Sequence, residues 1–493
     1  MGVPDWKRQT LVWRKATNVK QLNAQVCVLG GGPAGATTAL RLMMLGHSVV
    51  LVEKSSFPRP HIGESLIGGV LPLLDVLGLR QEIEQESFLR TRAAFVRWAG
   101  TTEYRKLDGA NGFQVDRARF DHLILRTACK AGAHILQPAS AIEITKTGEQ
   151  GWTLAVQTSN GDRANVNCSF LVDATGRTSI LGGARTRTGA PTLALYAYWK
   201  DTAIYGTETR VEAGQSEWFW GAPLPQGQFN ATVFIDTPRF AQGVAAAGSL
   251  ENFYCELIGS SGLLAGCLKG ARITPVRVCD ATCTCDETPL LGNSIKAGEA
   301  AFSIDPLSSQ GVQTAIGSAL HAAAVIHTIM ERPDSGGLAR QFYVERQQQS
   351  VALHGSATRQ FYAEAAKAHP TEFWQRRSIP SSPSDVPAPS QPSPMPAPES
   401  LVRIAPGVCL RTVPIIENAF VVSATAVVVP SLKGPVVFLE GTKAAPLIEM
   451  IDVPMACQEV LRRWTTAIPS SLALTILRRA LDLGILCFDN QAS

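Results

Sequence analysis

Hydrophobic positions near the start of the chain follow a strand, turn, helix, strand rhythm. Val26-Cys27-Val28-Leu29 is a continuous apolar run that ends in Gly30-Gly31-Gly32-Pro33-Ala34-Gly35. Ala36 to Leu42 then has helical spacing, and Ser48-Val49-Val50-Leu51-Val52 is a second run closing on Glu53. Strands that are apolar on both faces suit a buried parallel sheet. The pattern predicts a dinucleotide-binding βαβ unit. Gly30 permits the sharp turn, Gly32 clears the backbone for a pyrophosphate, and Gly35 lets the helix lie close to the strand. The helix N-terminus offers unpaired N–H groups and a positive dipole end. Glu53 is placed to accept hydrogen bonds from ribose hydroxyls. Pro33, Ala34 and Lys54 flank these positions and complete the first cofactor-binding set.

Beyond this unit the pattern changes period several times. Residues 1–23 read as a polar, basic arm. Phe57-Pro58-Arg59-Pro60-His61-Ile62-Gly63-Glu64-Ser65 cannot be helical, because Pro58 and Pro60 forbid it. A polar loop near the C-terminal edge of a parallel sheet is where such folds build ligand sites. Ala93 to Trp98 and Glu103 to Arg105 read as strands of a second sheet. Asp116 leads into a helix with Leu123, Leu125 and Ala128 apolar, and Phe170 to Asp173 is another buried strand before a glycine turn. From about 190 to 275 the strands are short and aromatic: Leu193 to Trp199, Glu217 to Pro223, Asn230 to Ile235. A loop over residues 297–312 precedes a helix from Gln313 to Met330, and a further helix spans roughly Ser335 to Lys367.

Prolines crowd residues 379–400, with Ser and Ala between them, so this stretch reads as a semi-extended linker. After it come a strand at 436–439, helices at 444–451, 455–465 and 470–483, and a closing strand at 485–488. That order suggests a winged-helix-like module. Its third helix offers only Arg478 and Arg479 against Asp482, which favours peptide or protein binding over DNA.

The expected fold class is therefore α/β: a Rossmann-like domain, an antiparallel-sheet domain on the substrate side and a small C-terminal α+β domain. The boundaries read as 24–185 with 276–330 for the cofactor domain, and 90–112 with 186–275 for the substrate side. A helical segment at 331–378, the linker at 379–400 and the module at 401–493 follow.

Composition narrows the function. A net charge of +4 over 493 residues argues against a nucleic-acid binder. The first 20 residues lack the apolar core of a signal peptide, and no run approaches the roughly 18 consecutive apolar residues of a membrane span. Eleven scattered cysteines suggest reduced thiols and a cytoplasmic location. Cys279, Cys283 and Cys285 lack a fourth neighbour for a structural zinc, so no metal is expected.

The motifs together resemble the flavoprotein monooxygenase and flavin-dependent halogenase superfamily. The carriers are Gly30-x-Gly32-x-x-Gly35, Glu53, the Pro58 to Ser65 loop, Asp116-Arg117-x-x-Phe120-Asp121, Asp173 to Arg177, and Asp305-Pro306-x-x-Ser309-x-Gly311-Val312. Ile62-Gly63-Glu64-Ser65 points to the halogenase-like branch. The resemblance implies FAD as cofactor, with Arg119 matched to the basic residue that contacts it. It also implies a loop from Asp305 through Pro306, Gly311 and Val312 beside the flavin ring. Gly298-Glu299 stands where the superfamily usually has Gly-Asp.

Two further positions bear on the reaction. Halogenases carry a lysine three residues after an aromatic, and the matching run Phe88-Leu89-Arg90-Thr91 places Thr91 there. Arginine is always protonated and replaces an amine poorly, so Arg90 and Arg92 do not restore the function. Trp218-Phe219-Trp220-Gly221-Ala222-Pro223 is a relative of a halogenase signature and pulls the other way, although one of its tryptophans at least should be core packing.

A narrower resemblance is to flavoprotein hydroxylases that act on tryptophan within a polypeptide during quinone-cofactor formation. It implies oxygen transfer through a flavin C4a-hydroperoxide to an electron-rich indole, with Thr91, Trp218 and Trp220 on the substrate side. O₂ is the oxidant, and NAD(P)H acts directly or through a flavin reductase. The peptide or protein substrate would dock through the C-terminal module. His61, Glu64 and Asp305 are the candidate proton-transfer groups. The competing readings are a flavin halogenase, an O₂-independent FAD reductase of prenyl chains, and a non-catalytic FAD-bearing binding protein.

Overall fold

The computed structural model describes residues 20–106, 112–148, 151–378, 397–432 and 434–489. Residues 1–19 of the basic arm and 379–396 of the proline-rich run lie outside the described residues. The chain divides into two compact units: residues 1–330 with 343–381, and residues 331–342 with 382–493.

In the first unit a parallel sheet forms around the first predicted strand, Lys20–Leu29. That strand pairs in parallel with Arg163–Asp173 on one side and Val49–Val52 on the other, and Val49–Val52 pairs with His134–Leu136. Ser294–Lys296 extends the sheet beyond Arg163–Asp173. Val26, Cys27, Val28 and Leu51 are fully enclosed, as continuous apolar runs covered on both faces require. The strand begins earlier than the arm expected over 1–23. Lys20 to Asn23 pair with Ala164 to Asn167, because ladder bonds need only backbone and tolerate polar side chains at a sheet end.

The second sheet runs in the order Ala271–Arg272, Leu193–Lys200, Gln228–Ile235, Trp218–Leu224, Thr209–Ala213, Ala93–Arg97, Thr102–Lys106. It is antiparallel except where Thr209–Ala213 meets Ala93–Arg97. Register fixes its faces, since directly opposed residues point to the same side. Trp199, Phe219, Phe229, Ala231 and Val233 pack on the helix Leu250–Ser260 through Phe253, Tyr254 and Leu257. The helices Thr237–Ala247 and Leu250–Ser260 depart from the strands expected up to 275. Ser249, whose side chain accepts from Asn252 N, marks the second of them as an N-cap.

The opposite face carries Trp98, Trp218, Trp220 and Phe234, and meets Tyr362, Phe373 and Trp374. A small third sheet, Ser65–Leu66, Gly112–Gln114 and Leu89–Thr91, joins the Glu64 loop to the Thr91 strand.

The second unit holds the helices Ala444–Glu449, Cys457–Trp464 and Ser470–Asp482 and the strand Leu486–Phe488, packed around Trp464, Ile476 and Leu477. It also holds a hairpin that the sequence reading missed, Cys409–Glu417 with Phe420–Val428. Its two-residue turn, Asn418-Ala419, has both residues at positive φ.

Candidate active site

The first glycine turn has the shape that its residues require. A Cβ on Gly35 would lie 1.9 Å from the Gly30 carbonyl oxygen, and one on Gly30, at φ +97°, would lie 2.4 Å from that of Ala174. Gly32 is the N-cap of the helix Pro33–Met44, where no side chain occupies the free N–H groups and no acid stands in the first turn. The cradle therefore fits the diphosphate of a dinucleotide. Arg59, on the proline loop, brings a guanidinium nitrogen to 3.3 Å from where a Gly32 Cβ would stand. Its charge suits the same phosphates, and the sequence reading quoted it without giving it a role. Glu53 is buried. Its Oε2 accepts from Gly31 N at 2.6 Å and its Oε1 from Ser55 N at 2.7 Å, so it braces the turn as well as facing a ribose site. Lys54 is exposed beside it.

Two later turns close around this one. Asp173 accepts from Thr175 N and Oγ1 and from Leu181 N, fixing the second glycine turn. Gly298, at φ +62°, leaves no room for a Cβ, which would lie 2.7 Å from Ala34 Cβ. The Gly298-Glu299 turn thus abuts the start of the phosphate-binding helix. The Glu299 side chain turns to Arg177, 3.4 Å away. Asp305 caps the short turn Pro306–Ser308 by accepting from Leu307 N, and Tyr362 Oη donates to both its oxygens at 3.0 and 2.9 Å. Burial raises its pKa. With both oxygens engaged, Asp305 holds the loop that leads into the helix Gly311–Glu331, where Gly311 leaves its N–H at the helix start and Val312 is buried.

Arg119, the expected cofactor contact, is engaged by other side chains of the chain. Arg119 pairs with Glu86 and leans over Phe88, at the rim. Asp116 sets the helix start, and the position two residues before Arg119 turns inward: Arg117 is buried, makes a two-pronged pair with Asp121 at 2.8 and 2.9 Å, and donates to Ile62 O and Gly63 O. A guanidinium fork suits this bidentate task. Arg117 therefore fixes the Ile62 to Ser65 loop, and an inward-facing position adjacent to an N-cap is the signal that was available.

That loop delivers Glu64 to the tryptophan-bearing face of the second sheet. Glu64 is 2% exposed and takes hydrogen bonds from Tyr198 Oη, from Asn230 Nδ2 at 3.1 Å and from Gly63 N at 2.9 Å. Burial raises its carboxyl pKa, and the Tyr198 and Asn230 bonds pull it back. His61 has its Nδ1 2.7 Å from Ile62 O, and burial followed by the Arg117 charge lowers its pKa.

Thr91 is 5% exposed and its Oγ1 has no hydrogen-bond partner among the described residues. Arg90 points to the other side of the strand, 4.2 Å above the Phe113 ring, and Arg92 is exposed. Trp218 stacks on Phe234 with centroids 3.7 Å apart, so it is core packing. Trp220 lies two residues along the same face, opposite Val211 and Thr232.

A glycine cradle for a diphosphate, a braced acid at the ribose position and a flavin-side loop facing an aromatic sheet define an FAD-dependent oxidoreductase. A family model for FAD dependent oxidoreductase matches residues 25–203. A tryptophan 2-halogenase of Chondromyces crocatus is 30% identical over 375 residues, covering 72% of this chain and 71% of that protein. Among solved structures, the flavin-dependent halogenase CmlS shares the fold, with TM-score 0.77 and 21% identity over 96% of this chain and 97% of that one. The peptidyl tryptophan dihydroxylase QhpG, essential for tryptophylquinone cofactor biogenesis, gives TM-score 0.71 and 25% identity over 94% of this chain and 99% of that one. The chain belongs to the flavin-dependent halogenase and monooxygenase superfamily.

Proposed function

We propose that the protein is a monooxygenase that hydroxylates an electron-rich aromatic ring, the side chain of a tryptophan within a peptide or protein. The observation that carries this reading is Thr91: a buried hydroxyl, with the neighbouring Arg90 guanidinium held over the Phe113 ring, stands where a halogenase has its lysine. The likeness to a peptidyl tryptophan dihydroxylase over nearly the whole length of both chains supports it. Bound and reduced, FAD supplies activation of O₂ to an electrophilic oxygen. The Gly30 to Gly35 cradle, Glu53, Arg59, Gly298 and the Gly311-Val312 helix start would hold it.

The chain's own residues do the rest. Trp220, Tyr196 and Tyr198 offer an aromatic floor against which an indole packs, and the enclosing sheet and helices exclude water. Substitution at a ring carbon releases its proton. Glu64, buried and held by two donors on that floor and by Gly63 N on its own loop, is the group placed to accept it. Asp305 and His61 act on the loops that carry the site. NAD(P)H, directly or through a flavin reductase, supplies the electrons.

The second reading, halogenation, is favoured by identity to a tryptophan halogenase and by the Trp218, Trp220 pair. The aromatic and polar floor argues against reduction of prenyl chains, which calls for an aliphatic lining. Aerobic incubation of tryptophan-containing peptides with the FAD-loaded enzyme, a reductant and both chloride and bromide separates the readings by product mass. The expected gain is one or two oxygen atoms on tryptophan. A halogenated product would overturn the proposal.

A further inference from the structure

Glu64 sits in an arrangement that its own loop does not explain. Its Oε1 receives two donors from two strands of the second sheet: the Tyr198 hydroxyl, on Leu193–Lys200, and the Asn230 amide at 3.1 Å, on Gln228–Ile235. Tyr198 and Asn230 are directly opposed in the register, so both point to the same face. The Asn230 amide is itself oriented. Thr232 Oγ1 donates to Asn230 Oδ1 at 2.8 Å, which leaves Nδ2 to face Glu64. Asn230 and Thr232 are 0% and 1% exposed. Two buried polar side chains in the middle of a sheet cost stability unless each is paired; here Thr232 is paired with Asn230, and Asn230 with the Glu64 carboxylate.

We propose that Tyr198 and Asn230, with Thr232 behind them, are positioning residues that hold Glu64 as the proton acceptor for substitution on the substrate ring. The inference rests on the reading of Glu64 given above and extends it to three residues. In the step served, the electrophile has bonded to a ring carbon. The C–H bond there breaks, its electron pair restores the aromatic system, and the proton passes to a Glu64 oxygen, converting carboxylate to acid. The oxidant is O₂ and the reductant a two-electron donor such as NAD(P)H. The proton step is the same whether oxygen or halogen was delivered.

The surroundings suit this task. Arg117 faces Glu64 from the helix Arg117–Lys130, Tyr196 and Tyr198 from one strand and Cys279 from the next. His61 and its Ile62 contact lie on Glu64's own loop. Tyr198 is held neutral, because burial and the neighbouring carboxylate raise its pKa, so it remains a donor and does not compete for the proton. Burial alone favours an uncharged Glu64. The two donors favour the carboxylate, the form that accepts a proton.

Tyr198→Phe and Asn230→Leu each remove one donor, and Thr232→Val unlocks the Asn230 amide with the smallest change in volume. Two readouts apply to the FAD-loaded enzyme. One is the infrared carboxyl band of Glu64 followed through a pH titration, with Glu64→Gln identifying the band. The other is the pH dependence of kcat on a tryptophan-containing peptide. The proposal expects the Glu64 titration and the acid limb of kcat to move together to higher pH. The shift is about one unit for each direct donor and less for Thr232→Val. Rates recover at alkaline pH and KM stays near the parent value. A Glu64 band that titrates unchanged in all three variants overturns the proposal, as does a loss of kcat that is equal at every pH. The titration needs no substrate. A halogenated product would therefore contradict the proposed hydroxylation while leaving this assignment standing, and an unmoved band would do the reverse.

Discussion

Single atoms decide the cofactor site. Gly35→Ala inserts a Cβ into a space already closed by the Gly30 carbonyl. A cost of about 1–3 kcal/mol from overpacking weakens FAD binding by roughly five- to 150-fold, measurable by titrating apoenzyme with FAD. An unchanged affinity would mean that the helix can retreat. Arg117 and Arg119 differ by two positions and are predicted to differ sharply. Removing Arg117 strands the buried Asp121 and frees the Ile62 to Ser65 loop, at roughly 3–5 kcal/mol by the usual cost of breaking a buried pair. Arg119→Ala removes a pair at the rim and costs under about 1 kcal/mol. Thermal unfolding of the two variants checks this. The sequence drew attention to Arg119 because spacing cannot tell which face of a new helix turns inward. The tight glycine turn and the place of Glu53 against it were legible, because the constraint on each is local.

Glu64 carries a stability signature as well. Its pKa is raised in the fold above the ordinary glutamate value of 4.5, so the folded protein binds this proton more readily than the unfolded chain. Stability is therefore fullest below pH 4.5 as far as this group is concerned, and falls as pH rises through the elevated folded pKa. Glu64→Gln lacks that charge. The stability of the parent relative to this variant should decline from acid to neutral pH, read from denaturant midpoints. A pH-independent difference would show that the carboxyl is not perturbed.

At the scale of elements, patterns with a strict period were read correctly and ambiguous ones were not. The buried strands of the first sheet and the helix Gly311–Glu331 announce themselves by continuous apolar residues or by small residues at helical spacing. That helix is long and apolar enough to cross a membrane by length and composition alone, yet it is mostly buried within the chain. The helix Thr237–Ala247 was missed because Ala and Gly runs carry no clear face. The hairpin Cys409–Glu417 and Phe420–Val428 was missed for another reason: its turn lacks the Asn-Gly pair that normally reports such a turn. Ala419 occupies that glycine position at φ +69°. Ala419→Gly should accordingly stabilise the hairpin by up to about 1 kcal/mol, seen as a raised unfolding midpoint. A lowered midpoint would mean that the lost methyl contacts outweigh the relieved backbone.

Across the first unit, one sheet carries the glycine cradle and the other the tryptophan-bearing face, and side chains of the joining loops tie the two together. Arg117 ties the helix start to the Glu64 loop, Glu64 ties that loop to Tyr198 and Asn230, and Tyr362 ties the Asp305 turn to the aromatic cluster. Such long-range ties have no periodicity along the chain, which is why the cofactor could be read from the sequence and the partners of Glu64 could not. Fold and cofactor are shared by enzymes that halogenate and enzymes that hydroxylate, so the reaction turns on what reaches the substrate from the flavin. The most direct measurement is aerobic turnover of a tryptophan-containing peptide under oxygen-18 gas, with chloride and bromide present, followed by mass spectrometry of the modified residue. The account predicts that tryptophan gains oxygen-18 atoms and no halogen. A chlorine or bromine isotope pattern on that tryptophan, without oxygen-18, would contradict it.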